Sequence, residues 1–315
     1  DRTAVVEAGV VLEHLTDALA PLGLILGHDP WSVSIATVAG AISTNGVGYM
    51  AAAYGPMGDQ VLGLEVVMPD GQILSTRALP KYSSGPNLNQ LFIGSEGVFG
   101  IITKATLRVF RAPEARSFAT VAFESFDRGF EAVAEMFAIG LKPTLVDLTE
   151  EPDSGVVLYM MYDGYQEGVS AQQERSMKIC ASFGGADTGP QETIEYWEVR
   201  HHIAEIYKRE MLNKPRSVRW NQRGGRGFDY LHLALPISKV LGYRGRCDQL
   251  LTTRNIKVVE YAIWTNPELF SMLLVPAEGS NLTSDAMSEA VDEVLTLAQD
   301  MGGVMEYCHG VGVKL

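Results

Sequence analysis

Residues 27–48 run Gly27-His28-Asp29-Pro30-Trp31-Ser32-Val33-Ser34-Ile35-Ala36-Thr37 and continue through Ala39-Gly40-Ala41-Ile42-Ser43-Thr44-Asn45-Gly46-Val47-Gly48. A stretch this poor in bulky side chains lets backbone come close to a flat or phosphorylated ligand. Its hydroxyls and the Asn45 amide supply hydrogen-bonding groups. A second segment, Gly94-Ser95-Glu96-Gly97-Val98-Phe99-Gly100-Ile101-Ile102-Thr103, sets glycines at spacing three directly ahead of a strand. The N–H groups of such a loop can line a ligand edge. Taken singly, each segment is as well explained by a tight turn. Gly46-Val47-Gly48-Tyr49-Met50-Ala51 formally fits the dinucleotide pattern G-x-G-x-x-A. No regular βαβ unit with a following acidic residue surrounds it, so that reading is rejected.

A chain of 315 residues suits two domains, and 46% hydrophobic against 20% charged residues is enough apolar surface for a substantial core. The net charge of −13 argues against a nucleic-acid partner, which needs basic patches. It also means that any phosphate-bearing ligand must be held by local N–H groups and helix N-termini. Cys180, Cys247 and Cys308 are far apart and form no C-x-x-C, so neither a disulfide framework nor a structural zinc site is expected. A reducing, cytoplasmic setting is the default that follows. No apolar run is long enough to span a bilayer, and a soluble protein is expected. Residue 1 does not read as a native start, so the sequence is silent on targeting.

Residues 3–11 read as a strand, followed by the helix LEHLTDALAPLG. Residues 61–69 read as a buried strand, with Asp70-Gly71 turning into QILST, and 99–110 as further strand. Beyond Pro113 the pattern alternates. Strands are expected at 117–123, 156–163, 230–237, 256–264 and 268–275. Helices are expected at 127–139, 169–183, 191–212 and 284–301, the second and fourth closing on Gly184-Gly185 and Gly302-Gly303. This is an α+β pattern, an antiparallel sheet covered by helices. NQRGGRG at 221–227 reads as a loop, in which Arg223 and Arg226 are ordinary solvated side chains before they are an anion-binding lid.

Together and in order, the two glycine-rich segments with VMPDG between them carry more than either does alone. With TAVVEAGV, GHDPWS, ATVAGAISTNGVG, YGPMGDQVLGLEVVMPDG, SSGPNLNQLFIGSEGVFGIITKATL, FDYLHLALPISKV and GGVMEYCHGVG, the chain resembles the vanillyl-alcohol-oxidase superfamily. The nearest branch holds glycolate oxidase, D-lactate dehydrogenase and alkylglycerone-phosphate synthase. The resemblance is dense over 1–112 and thin over 113–300.

The resemblance implies a PCMH-type FAD-binding domain over 1–112, incomplete at its N-terminus. It also implies an antiparallel-sheet cap domain over 113–303 and a return segment over 304–315. FAD is the implied cofactor. Trp31, Ser32, Val33, Ser34, Ile35, Ala36, Thr37, Gly40, Ser43, Thr44, Asn45 and Gly46 are carried over as flavin-binding, as are Glu96, Gly97, Gly100, Ile101 and Ile102. Four departures stand out. The family's pyrophosphate loop precedes the strand that here begins at residue 3, and family chains run well past the H-G-V-G motif; a chain trimmed at both ends is expected. The metal-binding histidines of the hydroxyacid dehydrogenases have no counterpart in VVEYAIWTNPELFSMLL, and Cys308 stands where the family has Glu, so no metal is expected. The synthases' three consecutive histidines are Tyr307-Cys308-His309 here, and the strand Leu269 to Val275 lacks their tyrosine.

On this resemblance His309, ahead of Gly310-Val311-Gly312, is the expected base for a substrate hydroxyl, since a neutral imidazole suits that task. Arg200 is expected to clamp a substrate carboxylate, with an ordinary ion pair as its equal alternative. Tyr307 is a hydrogen-bonding candidate, and Cys308 reads as a small buried residue. His201 and His202 point to different helix faces, and His28 and Asp29 read as structural. The expected reaction is oxidation of a 2-hydroxy acid or related secondary alcohol by hydride transfer to the flavin. The electron acceptor is unassigned and a homodimer is a further expectation. The alternatives are a flavin-dependent transferase and a flavin-free binding or scaffold relative.

Overall fold

The computed structural model describes residues 1–215, 218 and 229–312. NQRGGRG, with Arg223 and Arg226, lies outside them. The described chain divides into two compact units. The first is Asp1–Glu114, Glu198–Arg209 and Cys308–Leu315; the second is Ala115–Trp197 and Glu210–Tyr307. These divisions differ from the expected 1–112, 113–303 and 304–315 chiefly at Glu198–Arg209. That stretch, read from sequence as cap, packs with the first unit because its charged side chains find partners there.

The first unit is built on a four-stranded antiparallel sheet in the order β1-β5-β3-β4. Its strands are β1 (Thr3–Glu7), β3 (Val61–Val67), β4 (Ile73–Ser75) and β5 (Ile101–Arg108); the short β2 (Leu24–Ile25) pairs with β6 (Phe110–Arg111). Val67 pairs with Ile73 across the Asp70-Gly71 turn, where Gly71 takes φ +83° and donates its N–H to Met68 O at 2.9 Å. The φ demands glycine. Helices α1 (Leu12–Leu19), α2 (Val38–Thr44) and α3 (Ala51–Tyr54) complete the unit. Leu12, Leu15 and Leu19 lie along one side of α1 at helical spacing. They pack with Val38 and Ile42 of α2 and with Leu64, Val66 and Leu107 of the sheet. Each such side chain contributes about 1.5–3 kcal/mol on burial.

The second unit carries a seven-stranded, wholly antiparallel sheet, order β10-β7-β9-β8-β12-β13-β11. The strands are β7 (Ala115–Phe123), β8 (Leu145–Glu151), β9 (Gly155–Gly164), β10 (Ala186–Gly189), β11 (Asp229–Ala234), β12 (Ile256–Trp264) and β13 (Leu269–Pro276). Helices α4 (Phe126–Ala138), α5 (Gln166–Ser182) and α8 (Val240–Thr253) pack on it, and α9 (Ser284–Asp300) packs on α8. Ser125 caps α4 by accepting the Arg128 N–H, and Thr283 caps α9 by accepting the Ala286 N–H. The α+β architecture expected from sequence is the one observed.

Several elements differ from the expectation: α2, α8 and β10 carried no assignment from sequence, and two further differences have a local reason. Residues 145–151 carried no assignment, because the apolar run stops at Thr149-Glu150-Glu151. They form β8, held by pairing with β9 on one side and β12 on the other. The single helix read over 191–212 is two, α6 (Gln191–Val199) and α7 (His202–Met211), broken at Arg200-His201.

Candidate functional site

In the first unit the segment expected to follow the flavin coils through a succession of turns over Trp31–Ile35. Val33 donates to Pro30 O, and Ile35 and Ala36 both donate to Ser32 O. Thr37 then caps α2 by accepting the Gly40 N–H. The helix ends at Asn45 in the left-handed region, φ +49°, a conformation Asn tolerates better than most residues. Its side-chain Oδ1 accepts the Gly58 N–H at 2.9 Å. Gly48 packs against the Asp29 main chain, where a Cβ would stand 2.8 Å from three backbone atoms.

The second glycine-rich segment docks on the end of α2. Gly94 donates to Ile42 O at 3.0 Å and Glu96 donates to Ser43 O at 2.9 Å. Gly94, Glu96 and Gly97 all have positive φ, so the loop is sharply curled. Gly100 fits against Val66 and Val67, Ile102 is buried, and Ile101 is 63% exposed. The return segment reaches the same place. The buried Cys308 thiol lies 3.8 Å from Val47 O. The Glu96 carboxylate accepts the Val311 N–H at 2.8 Å and the Gly312 N–H at 2.9 Å. His309 is exposed, and its neighbours on both sides are tied to the two glycine-rich segments.

Arg200 also belongs to this unit. Its Nε donates to Asp29 Oδ2 at 2.8 Å, and its carbonyl accepts the Tyr49 hydroxyl at 3.1 Å. His201 Nε2 lies 2.9 Å from the other Asp29 oxygen. Burial alone would push the Asp29 carboxyl up. The hydrogen bond from His201 and the charge of Arg200 outweigh it and hold the group below its usual range. His28 beside it is pushed down to about 4 by burial, against an opposing pull from Asp29, so its ring is neutral at physiological pH. Asp29, read from sequence as structural, is the counter-ion that orients the Arg200 guanidinium.

Among the described residues, the buried polar side-chain atoms without a hydrogen-bond partner include His28 Nδ1 and Ser34 Oγ, and also atoms of Gln60, Ser176 and Thr265. Buried polar atoms ordinarily have one. Ser34 lies on the segment expected to run along the flavin, and His28, read from sequence as structural, lies just ahead of it. Orphaned polar atoms on a small-residue backbone fit a polar, planar ring system.

The second unit holds a polar cluster of which sequence reasoning named only Tyr307. On one face of its sheet His232 Nδ1 is 2.8 Å from Ser271 Oγ, which is 2.7 Å from the Tyr307 hydroxyl. Tyr230 donates to Glu260, and Tyr196 donates to Asp147 at 2.5 Å. The signal was there in period two: Tyr230 and His232 alternate with Leu231 and Leu233. Burial pushes the Asp147 carboxyl up to about 6. Glu260 is pushed up to about 7 by burial and by Asp147 and Glu151, against a lowering hydrogen bond from Tyr230.

A carboxyl whose folded pKa lies above its unfolded value destabilises the fold progressively as pH rises between the two. Stability contributed by Glu260 is therefore present below about pH 4.5 and lost as pH passes 7. Glu260→Gln is expected to flatten the decline of Tm between pH 5 and 8. Identical pH dependence in thermal melts of both proteins would refute this.

The described residues contain no group of three or more His, Cys, Asp or Glu placed to hold a metal ion. None of their helices is long and apolar enough to cross a membrane.

Residues 1–77 match the model described as FAD binding domain, and residues 112–314 match that described as FAD linked oxidases, C-terminal domain. The chain is 30% identical over 205 residues to an uncharacterized FAD-linked oxidoreductase, YgcU, of Escherichia coli, covering 62% of this chain and 42% of that protein. It is 29% identical over 337 residues to the D-lactate dehydrogenase of Archaeoglobus fulgidus, covering 100% of this chain and 70% of that one. It thus spans less than half the length of YgcU. A solved structure of an alkyldihydroxyacetonephosphate synthase shares the fold, with a TM-score of 0.75 over 96% of this chain and 59% of the other at 18% identity. With the second of these family models running through nearly two thirds of its length, the chain belongs to the FAD linked oxidases, and its cofactor is FAD.

Proposed function

We propose that this chain serves the oxidation of a 2-hydroxy acid or a related secondary alcohol. The observation that carries the reading is the convergence of three segments in one unit. The loop bearing Glu96 donates to the end of α2, and the H-G-V-G loop donates to Glu96. His309 is thereby held beside the segments that would bind the cofactor.

Trp31 to Thr37, Gly40, Ser43 to Gly46, Glu96, Gly97 and Gly100 to Ile102 are the residues that would hold FAD, largely through main-chain groups and small side chains. FAD, when bound, supplies the two-electron acceptor. A ring nitrogen of His309 takes the substrate hydroxyl proton. Arg200, oriented by Asp29, is the proposed partner for a substrate carboxylate. Tyr307, two positions before His309 in the chain, is the proposed hydrogen-bonding partner for substrate.

The test is an absorbance spectrum of the purified protein, repeated anaerobically with D-lactate, glycolate and longer 2-hydroxy acids. Flavin bands that bleach with one of these are the expected result. The shared fold with the synthase supports a second reading, a transferase without net redox change, and bands that no alcohol bleaches would favour it. A colourless protein would favour a flavin-free binding role.

A further inference from the structure

Glu96 is an exposed acidic residue in a conformation that disfavours it, φ +50°. Its main-chain N–H is fixed to Ser43 O at 2.9 Å. Its two carboxylate oxygens are divided between two successive amides, Oε1 taking the Val311 N–H and Oε2 the Gly312 N–H. Gly310 and Gly312 adopt φ +75° and +50°, the curled backbone that presents consecutive N–H groups to one anion. The approach is close: a Cβ on Gly310 would stand 2.6 Å from Glu96 Oε1. His309 is the residue next to Gly310.

We infer that Glu96 is a positioning residue: its carboxylate clamps the His309-Gly310-Val311-Gly312 loop onto the end of α2 and so sets where the His309 ring stands. This rests on the reading of His309 as the base. Both carboxylate oxygens are used, so the clamp distinguishes glutamate from its amide. Gln at 96 keeps one acceptor and turns an NH2 toward an N–H.

The experiment compares wild type with Glu96→Gln, Glu96→Ala and Gly310→Ala, the last breaking the clamp from the loop side if Glu96→Ala folds poorly. Hydrogen exchange of residues 308–312 is expected to quicken about tenfold in Glu96→Ala and Gly310→Ala, and less in Glu96→Gln. The NMR signal of the His309 ring should move in the same order. The rate constant for flavin reduction at saturating substrate should fall in that order too, by about ten- to a hundredfold for alanine, with KM moving much less. Unchanged exchange in Glu96→Ala and Gly310→Ala would overturn the clamp. Faster exchange with an unmoved His309 signal would overturn the positioning. If wild type reduces its flavin with no alcohol, the functional reading fails, and the exchange and ring signal still decide the clamp.

Discussion

Replacing His309 by glutamine is expected to slow substrate-dependent flavin reduction by about 10²–10⁴-fold, the range a positioned general base contributes. Glutamine occupies similar space and forms hydrogen bonds, but it takes no proton at neutral pH. His309 is exposed, so the change should leave stability within about 0.5 kcal/mol of wild type. Flavin content should also hold, because main-chain groups and the Glu96 carboxylate tie together the segments that would bind the cofactor. Anaerobic stopped-flow reduction separates the proton-transfer step from reoxidation. The variant should also lose any acid limb that the wild-type pH–rate profile shows. Reduction within about threefold of wild type would place the base elsewhere, and the neutral His28 ring and the Tyr307 hydroxyl would be the next groups to test.

The segments that carry the reading were legible in the chain because backbone chemistry dictates them. The run Ala39-Gly40-Ala41-Ile42-Ser43-Thr44-Asn45-Gly46 was marked by its small residues, though not as the helix α2 that most of it forms. Asp70-Gly71 specifies its own turn, and Leu12, Leu15 and Leu19 announce a buried helix side. Long-range partnerships were not legible. Asp29 and Arg200 are 171 positions apart, and nothing local to either says that one will neutralise the other. The break between α6 and α7 falls at Arg200-His201, the two residues that face Asp29, and the polar stretch around it read as one helix. The same holds for Glu96, whose main chain was read as cofactor-facing while its carboxylate serves Val311 and Gly312. The cluster of His232, Ser271, Tyr307, Tyr230 and Glu260 draws on three strands and the return segment. Its alternation marked a polar sheet face, but only the register of β11 and β12 against β13 brings those positions together.

Asp29→Ala is expected to destabilise the first unit by about 3 kcal/mol at pH 7. Asp29 is 9% exposed and faces Arg200 Nε and His201 Nε2, so alanine strips the counter-ion from a guanidinium whose side chain is itself only 18% exposed. That residual exposure keeps the loss at the low end of what breaking a buried pair costs. Asp29→Asn should forfeit most of the same stability, since the amide keeps the shape and loses the charge. The pH dependence follows from the lowered carboxyl. A group with a depressed folded pKa contributes stability that is present above its unfolded value, about 3.9, and is lost as pH falls through the folded one. The Tm gap between wild type and variant should therefore be widest near neutrality and close below about pH 4. The effect should reach function through Arg200. With its orienting carboxylate gone, KM for a hydroxy acid should rise more than the rate of flavin reduction falls, whereas a neutral secondary alcohol should show no such rise. Wild-type stability in the variant at pH 7, measured by denaturant titration, would mean that Arg200 and His201 do not rely on Asp29, and the case for an oriented guanidinium would go with it.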